Sequence, residues 1–230
     1  MRFGAGMAAV VLGLVGLSAT GTAHAQGGSK VAGAEEEEWL RDLRPERRNG
    51  VVLGFSTGIG FAGASGYPND AKRIDNPAFY SSSPLLLGPS TSIFLMGALS
   101  DIVSFGFMVT TASFESSQWR SSALGIGFRV EAFPLYHLVP LLRDTAIYAQ
   151  LGGGGMSLEA KGGVFPKADT AEAFVGAGVH HELTLWKVLG GRLTAGPMIE
   201  LDAVAGQSAQ AHWLTGGARV VFYTSRGSMK

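Results

Sequence analysis

The sequence predicts an all-β fold: an eight-stranded antiparallel up-and-down transmembrane β-barrel, following a cleaved signal peptide and a short helical or flexible N-terminal segment. Three observations predict it. First, 34 glycines and 46% apolar residues accompany only 16% charged residues, whereas soluble surfaces carry roughly a quarter to a third charged residues. Second, no apolar run after residue 25 approaches the ~20 residues a membrane helix needs. Third, from Val51 onward large and small residues alternate with period two, the pattern recurs between turn signals, and its charges fall on one face.

The first 25 residues read as a secretory signal. Arg2 supplies the positive start, Met7 to Leu17 the apolar run, and Ala23-His24-Ala25 the small residues of a cleavage site. Residues 26–49 read as a leader facing the periplasm. Its Gly, Ser and Ala residues give way to AEEEEWLRDLRPERR (34–48), where Glu residues come first and Arg residues last, as suits a helix dipole. Pro45 stops that pattern. The barrel is expected over 50–224 and a tail over 225–230. Eighteen basic residues balance 18 acidic ones, and no basic patch interleaved with aromatics points to nucleic acid. The absence of cysteine excludes disulfides and thiolate metal sites.

The first strand shows the logic. Val51, Leu53, Phe55, Thr57, Ile59 and Phe61 share one face; Val52, Gly54, Ser56, Gly58, Gly60 and Ala62 share the other. Gly58, Gly60 and Gly63 spell G-x-G-x-x-G, a dinucleotide fingerprint that requires a helix to start next. Ala64-Ser65-Gly66-Tyr67-Pro68 follows instead, so Gly58 and Gly60 belong to the small face of the alternation and Gly63 begins the exit to the loop. A second strand is expected over Pro89–Leu99, a tight turn at Ser100-Asp101, and a third strand carrying Val103, Phe105, Phe107 and Val109. The fourth sets Leu124, Ile126, Phe128 and Val130 against Arg129 and Glu131. The fifth, Thr145–Met156, sets Ile147, Ala149 and Leu151 against Tyr148 and Gln150. The sixth, Glu172–Leu183, sets Val175 and Val179 against Glu172, His180 and Glu182. In the seventh, Ile199 and Leu201 oppose Arg192, Glu200 and Asp202; in the eighth, Leu214, Val220 and Phe222 oppose Arg219 and Tyr223. The long connection 62–88 shares one end of the barrel with loops near 115–121, 157–170 and 204–209, and the turns lie at the other.

The placement of charge decides which face is wet. Arg129, Glu131, Glu172, Glu182, Arg192, Glu200, Asp202 and Arg219 all fall on the small-residue face. A lipid-exposed face must exclude such groups, because a basic residue at mid-bilayer costs ~2–4 kcal/mol. With His180, these residues form an expected lumen charge network, paired because a buried unpaired charge is costly. Arg129 and Arg219 are the expected partners of Glu131, Glu200 or Asp202.

The strand period also judges the candidate chemistry. In His180-His181-Glu182, His180 and Glu182 point inward and His181 outward, so the two histidines cannot share one metal ion. No serine is placed beside His180 as a nucleophile, and no catalytic, cofactor or metal residue is expected. Eight strands enclose an interior just wide enough to be filled by side chains, which argues against an open pore. Small residues such as Ser56, Gly58, Gly60 and Gly106 lessen that filling on the early strands.

FRVEAFPL at Phe128–Leu135, GAGVHHELTLW at Gly176–Trp186 and GARVVFY at Gly217–Tyr223, together with the export signal and the alternation, resemble the small bacterial outer-membrane β-barrel proteins of the OmpA, OmpX and OmpW-like group. The resemblance covers residues 50–224 as a pattern. It implies a Gram-negative outer membrane, both termini in the periplasm and the longest loop at the cell surface. This chain departs from the group in continuing past Tyr223, where the last strand usually closes on an aromatic, and in having no peptidoglycan-binding domain after it. The expected function is structural or surface-interacting, by a monomer whose partners are outer-membrane lipid and a surface ligand met through residues 62–88, including Tyr67, Arg73 and Tyr80. A narrow channel or carrier is the alternative, and a lipid-modifying barrel enzyme the third reading.

Overall fold

The structure, a computed structural model, describes residues 48, 50–163, 165–188 and 191–224. The signal peptide, the leader apart from Arg48, and the tail lie outside the described residues. The strands are β1 (Gly50–Gly66), β2 (Ser81–Ser82), β3 (Leu86–Ala98), β4 (Val103–Glu115), β5 (Trp119–Ala132), β6 (Thr145–Ala160), β7 (Ala168–His181), β8 (Leu183–Val188), β9 (Gly191–Ala205) and β10 (Ala209–Tyr223). Each barrel strand pairs antiparallel with its neighbour in sequence, and β10 pairs with both β9 and β1. That closure leaves the barrel without the exposed sheet edges that a membrane cannot tolerate. β7 and β8 form one stave broken at Glu182, and β2 is a two-residue addition against the end of β1. The eight staves are therefore β1, β3, β4, β5, β6, β7 with β8, β9 and β10.

The alternation read from the sequence is the alternation of the two barrel faces. On β1, Ile59 is 67% exposed and Phe61 53%, whereas Ser56 between strands β3 and β10 is fully buried. On the outer wall Phe128 stacks with Phe105 and tilts against Phe107, at centroid distances of 5.6 and 4.8 Å. Among the described residues no helix is long and apolar enough to cross a membrane; the crossing is made by the strands.

Several boundaries differ from those expected: at the turn end β8 (Leu183–Val188) stands where a turn was expected, and at the loop end the strands are longer, β7 beginning at Ala168 rather than Glu172. β1 runs on to Gly66 and β3 begins at Leu86, so the connection expected over 62–88 contracts to about residues 67–85 with β2 inside it. β6 continues to Ala160 rather than ending at Met156. Ladder hydrogen bonds extend past the apolar band because the neighbouring strands are just as long, and apolarity alone does not mark where pairing stops. These extensions place charge on the outer face. Glu115 bonds to Arg120 and Lys161, each at 2.7–2.8 Å, and Arg120 reaches Glu159 at 3.9 Å. This exposed cluster marks the loop-side limit of the lipid-facing band.

The turn end is compact. Leu99–Ile102 closes β3 to β4, with the Ser100 hydroxyl accepting from the Ile102 N–H at 3.3 Å. Residues 133–144 form successive tight turns, from Tyr136 N–H donating to the Phe133 carbonyl through to Thr145 N–H donating to that of Leu142.

Candidate functional site: the filled lumen and its two mouths

Glycines on one strand receive large side chains from the strand beside it or the one beyond. The Phe94 ring lies where a Cβ of Gly54 would stand, the Phe174 ring occupies that place at Gly125, Tyr148 does so at Gly178, and Asp202 and Gln150 do so at Gly176. This is the physical reason for the glycine content: the lumen is narrow, and bulk on one strand requires its absence opposite. At Gly58, Gly60 and Gly106 the corresponding space is taken by neighbouring backbone.

The middle of the lumen is charged, with Arg129 and Arg219 paired to Glu131 and Glu200. Arg219 makes a two-pronged contact with Glu131, one arm at 2.8 Å to Oε2 and the other to Oε1. Arg129 lies 3.1 Å from Glu131 and 3.3 Å from Glu200. Glu200 also accepts from the Tyr148 hydroxyl at 2.8 Å, and Asp202 from the Gln150 amide at 2.6 Å. Both guanidiniums lie over the Phe94 ring, Arg219 at 4.2 Å and Arg129 at 4.8 Å, and Arg129 is 3.7 Å from the Tyr148 centroid. A cation over a desolvated ring gains attraction where water cannot compete. His180 stands between this layer and the turn end, 3.3 Å from Arg219 and edge-on to Phe133.

Of the nine residues expected in the network, seven are buried: Arg129, Glu131, His180, Glu182, Glu200, Asp202 and Arg219. Two are corrected. Glu172 is exposed at the loop-side rim, where it accepts from the Gln207 N–H at 2.7 Å. Arg192 is half-buried near the turn-side mouth, its guanidinium 4.9 Å from the Tyr223 ring. Each has the correct facing for the lumen, but it stands near a strand end, and period two fixes the facing of a side chain without fixing its depth.

At the turn-side mouth the structure contributes a residue that the strand pattern did not identify. Arg48 precedes β1 and is 1% exposed. Its backbone N–H donates to Asp101 at 2.7 Å, and its guanidinium donates to the Asp101 carbonyl at 3.1 Å, to Asp144 at 2.7 Å and to Glu182 at 3.4 Å. The same guanidinium lies 3.4 Å above the Phe133 centroid. Glu182, at the break between β7 and β8, also accepts from the Tyr223 hydroxyl at 2.5 Å. One cation thus ties together both turns and the broken stave. Tyr148, Gln150 and Tyr223 were placed on the inner face by alternation; Arg48 had no such signal, because it lies before the alternation begins.

At the loop-side mouth the filling is apolar. Trp213 packs against Phe114 and Phe174, at centroid distances of 6.2 and 6.3 Å, with Leu86, Met156, Leu158 and Val204 buried around them. Above them, Tyr67 and Tyr80 come together at 5.1 Å. Arg73 pairs with Asp70 at 3.3 Å and lies 5.2 Å from the Phe79 ring. His181 points outward, as expected, and shares a 2.9 Å hydrogen bond with Thr145. Among the described residues no group of three or more His, Asp or Glu side chains could hold a metal ion.

No protein-family model matches the chain, and no curated protein matches it in sequence. Solved structures similar to it include Ail, the attachment invasion locus protein of Yersinia pestis, in complex with the heparin analogue sucrose octasulfate (12% identity, 74% of this chain and 99% of that one, TM-score 0.40). Another is the N-terminal β-barrel domain of Pseudomonas aeruginosa OprF (10% identity, 76% of this chain and 100% of that one, TM-score 0.39). A third is the outer membrane protease OmpT of Escherichia coli (5% identity, 79% of this chain and 98% of that one, TM-score 0.38).

Proposed function

We propose that the protein is an integral barrel of a bacterial outer membrane with a closed lumen, serving a structural or surface-interaction role through its loop end. The observation that carries this reading is the filling of the lumen at three successive levels: Arg48 with Phe133 and Glu182, then the Arg129–Glu131–Arg219–Glu200 cluster, then Phe114–Trp213–Phe174. Solute transfer would have to break buried ion pairs whose loss costs several kcal/mol each. The charge-free band of outward Phe, Ile, Leu and Val supports the membrane setting. A hydrolytic role is disfavoured because His180 is 2% exposed, behind aromatic and charged packing. The exposed Arg73 and Tyr80 of the 67–85 loop are the groups this reading assigns to a surface ligand.

Planar-bilayer recording tests the closed lumen. The reconstituted barrel is expected to show no discrete conductance steps, and regular steps would overturn the reading in favour of a channel. Cleavage of the 67–85 loop by protease added to intact cells is expected, and its full protection would remove the surface role.

A further inference from the structure

Glu200 and Asp202 stand two residues apart on the inner face of β9, both buried. Each carboxyl has one oxygen engaged. Glu200 Oε2 accepts from Tyr148 and lies 3.3 Å from Arg129, and Asp202 Oδ1 accepts from the Gln150 amide at 2.6 Å. The remaining oxygens, Glu200 Oε1 and Asp202 Oδ2, are buried with no hydrogen-bond donor among the described residues, and the two carboxyls are in hydrogen-bond contact with each other. The elements packed around them supply too little positive charge. β5 brings Arg129, which Glu131 also engages at 3.1 Å, and β10 brings Arg219, whose guanidinium is held by Glu131. β6 brings the neutral Tyr148 and Gln150, β7 brings Gly176 and Gly178 with His180 beyond them against Glu182, and β10 places Thr215 and Trp213 directly across. Arg48 is engaged by Asp144 and Glu182 at the turn-side mouth. Two guanidiniums thus meet three carboxylates, those of Glu131, Glu200 and Asp202. Two neutral oxygens of the same layer also lack a partner among the described residues: Gln150 Oε1, on a residue 3% exposed, and the hydroxyl of Thr215, on one 0% exposed. The Gln150 amide and the Asp202 carboxyl lie together over Gly176. Thr215, across from Glu200, turns its methyl rather than its hydroxyl toward Gly58, so the hydroxyl is available to the carboxyl pair.

We propose that Glu200 and Asp202 bind one small monovalent cation between them, either a proton shared by Oε1 and Oδ2 or an alkali metal ion to which Thr215 and Gln150 add neutral oxygens. Two ionised carboxylates do not persist in buried contact without a positive charge between them. Leaving either one unpaired in the lumen is strongly destabilising. The shortfall in the layer is a single charge, which selects a monovalent over a divalent ion. All four unpartnered groups present oxygen, the ligand atom of hard cations. The site lies inside the barrel, so it holds whichever way the loop end faces.

The first test is the urea midpoint of the refolded full-length barrel carrying Asp202→Asn. This change keeps the shape of the side chain, lets Oδ1 go on accepting from Gln150, and removes the carboxylate together with the need for its counter-charge. The midpoint is expected to equal or exceed that of the wild type. Were Asp202 instead an ordinary ionised partner of Arg129, the same change would leave a buried guanidinium short of an anion and lower the midpoint by on the order of 1 M; that result overturns the proposal. The source of the charge is read on the wild type, refolded in sodium chloride or in N-methylglucamine chloride at equal ionic strength. A midpoint higher in sodium chloride, with the difference lost in Thr215→Val, identifies an alkali ion. Equal midpoints, with the infrared carbonyl band of a protonated carboxyl present at neutral pH and missing from Asp202→Asn, identify a proton. A wild type with neither the sodium effect nor the protonated-carboxyl band overturns the proposal, whether or not either variant refolds.

Discussion

The two ends of the lumen are filled by opposite chemistry. Toward the loops, Trp213, Phe114, Phe174, Leu158 and Val204 pack without a charged partner. Toward the turns, Arg219, Glu131, Arg129, His180, Glu182 and Arg48 occupy a cross-section enclosed by the same eight staves. Apolar filling is non-directional, so its stability depends on volume. Charged filling is directional, so its stability depends on every partner being present. The difference teaches that a narrow barrel can be sealed either way, but that only the charged end should fail when a single group is removed without any change in volume.

Arg219→Met is the most damaging test of that distinction. It keeps the bulk but leaves Glu131 with Arg129 alone, and is expected to cost ~3–5 kcal/mol, read as a lower urea midpoint for the heat-modifiable form. Arg219→Met combined with Glu131→Leu is expected to recover much of the loss, and a double variant no better than the single would break the comparison. At the apolar end Trp213→Ala should cost ~3 kcal/mol through the cavity it leaves, and Trp213→Phe, which keeps an aromatic body, clearly less by the same midpoint. Removing the mouth cation by Arg48→Ala is expected to cost ~1.5–3 kcal/mol, the range for hydrogen bonds to charged groups. It should also open residues 133–144 to protease in the reconstituted barrel, and unchanged protection would show that the turns hold themselves together.

The smallest effect belongs to the exposed rim. Hydrogen bonds from Lys161 and then Arg120 hold the Glu115 carboxyl below the ordinary carboxylate range. A depressed folded value means that its contribution is present above the unfolded pKa and is lost as pH falls through the folded one. Lys161→Ala is expected to raise the Glu115 titration, followed by carboxyl NMR, toward the ordinary carboxylate range, with no measurable change in the urea midpoint because exposed pairs are solvent-screened. An equally large stability loss at this rim and in the lumen would remove the distinction between buried and exposed charge.

Much of this was legible in the sequence because a strand's period is two. Given Val51-Val52-Leu53, the facing of every later residue in β1 follows, and so do the inward settings of Arg129, Glu131, Glu200, Asp202 and Arg219. Depth was not legible. Glu172 and Arg192 share that inward facing yet stand near the mouths, and Glu115 and Glu159 face outward on strand ends that run past the apolar band. Nor could the pattern reach Arg48, whose position depends on Asp101, Asp144 and Glu182, distant in sequence by 53, 96 and 134 residues.

What the sequence determined by itself, then, is a local property: alternation fixed which side of each strand meets lipid, and the confinement of charge to one side fixed that the other is the membrane face. What only the tertiary structure decided is who meets whom across the lumen: Phe94 against Gly54, Arg219 with Glu131, Arg48 with Glu182. Facing is set by the chirality and pleat of a single strand, whereas partnership is set by the stagger and closure of eight strands at once.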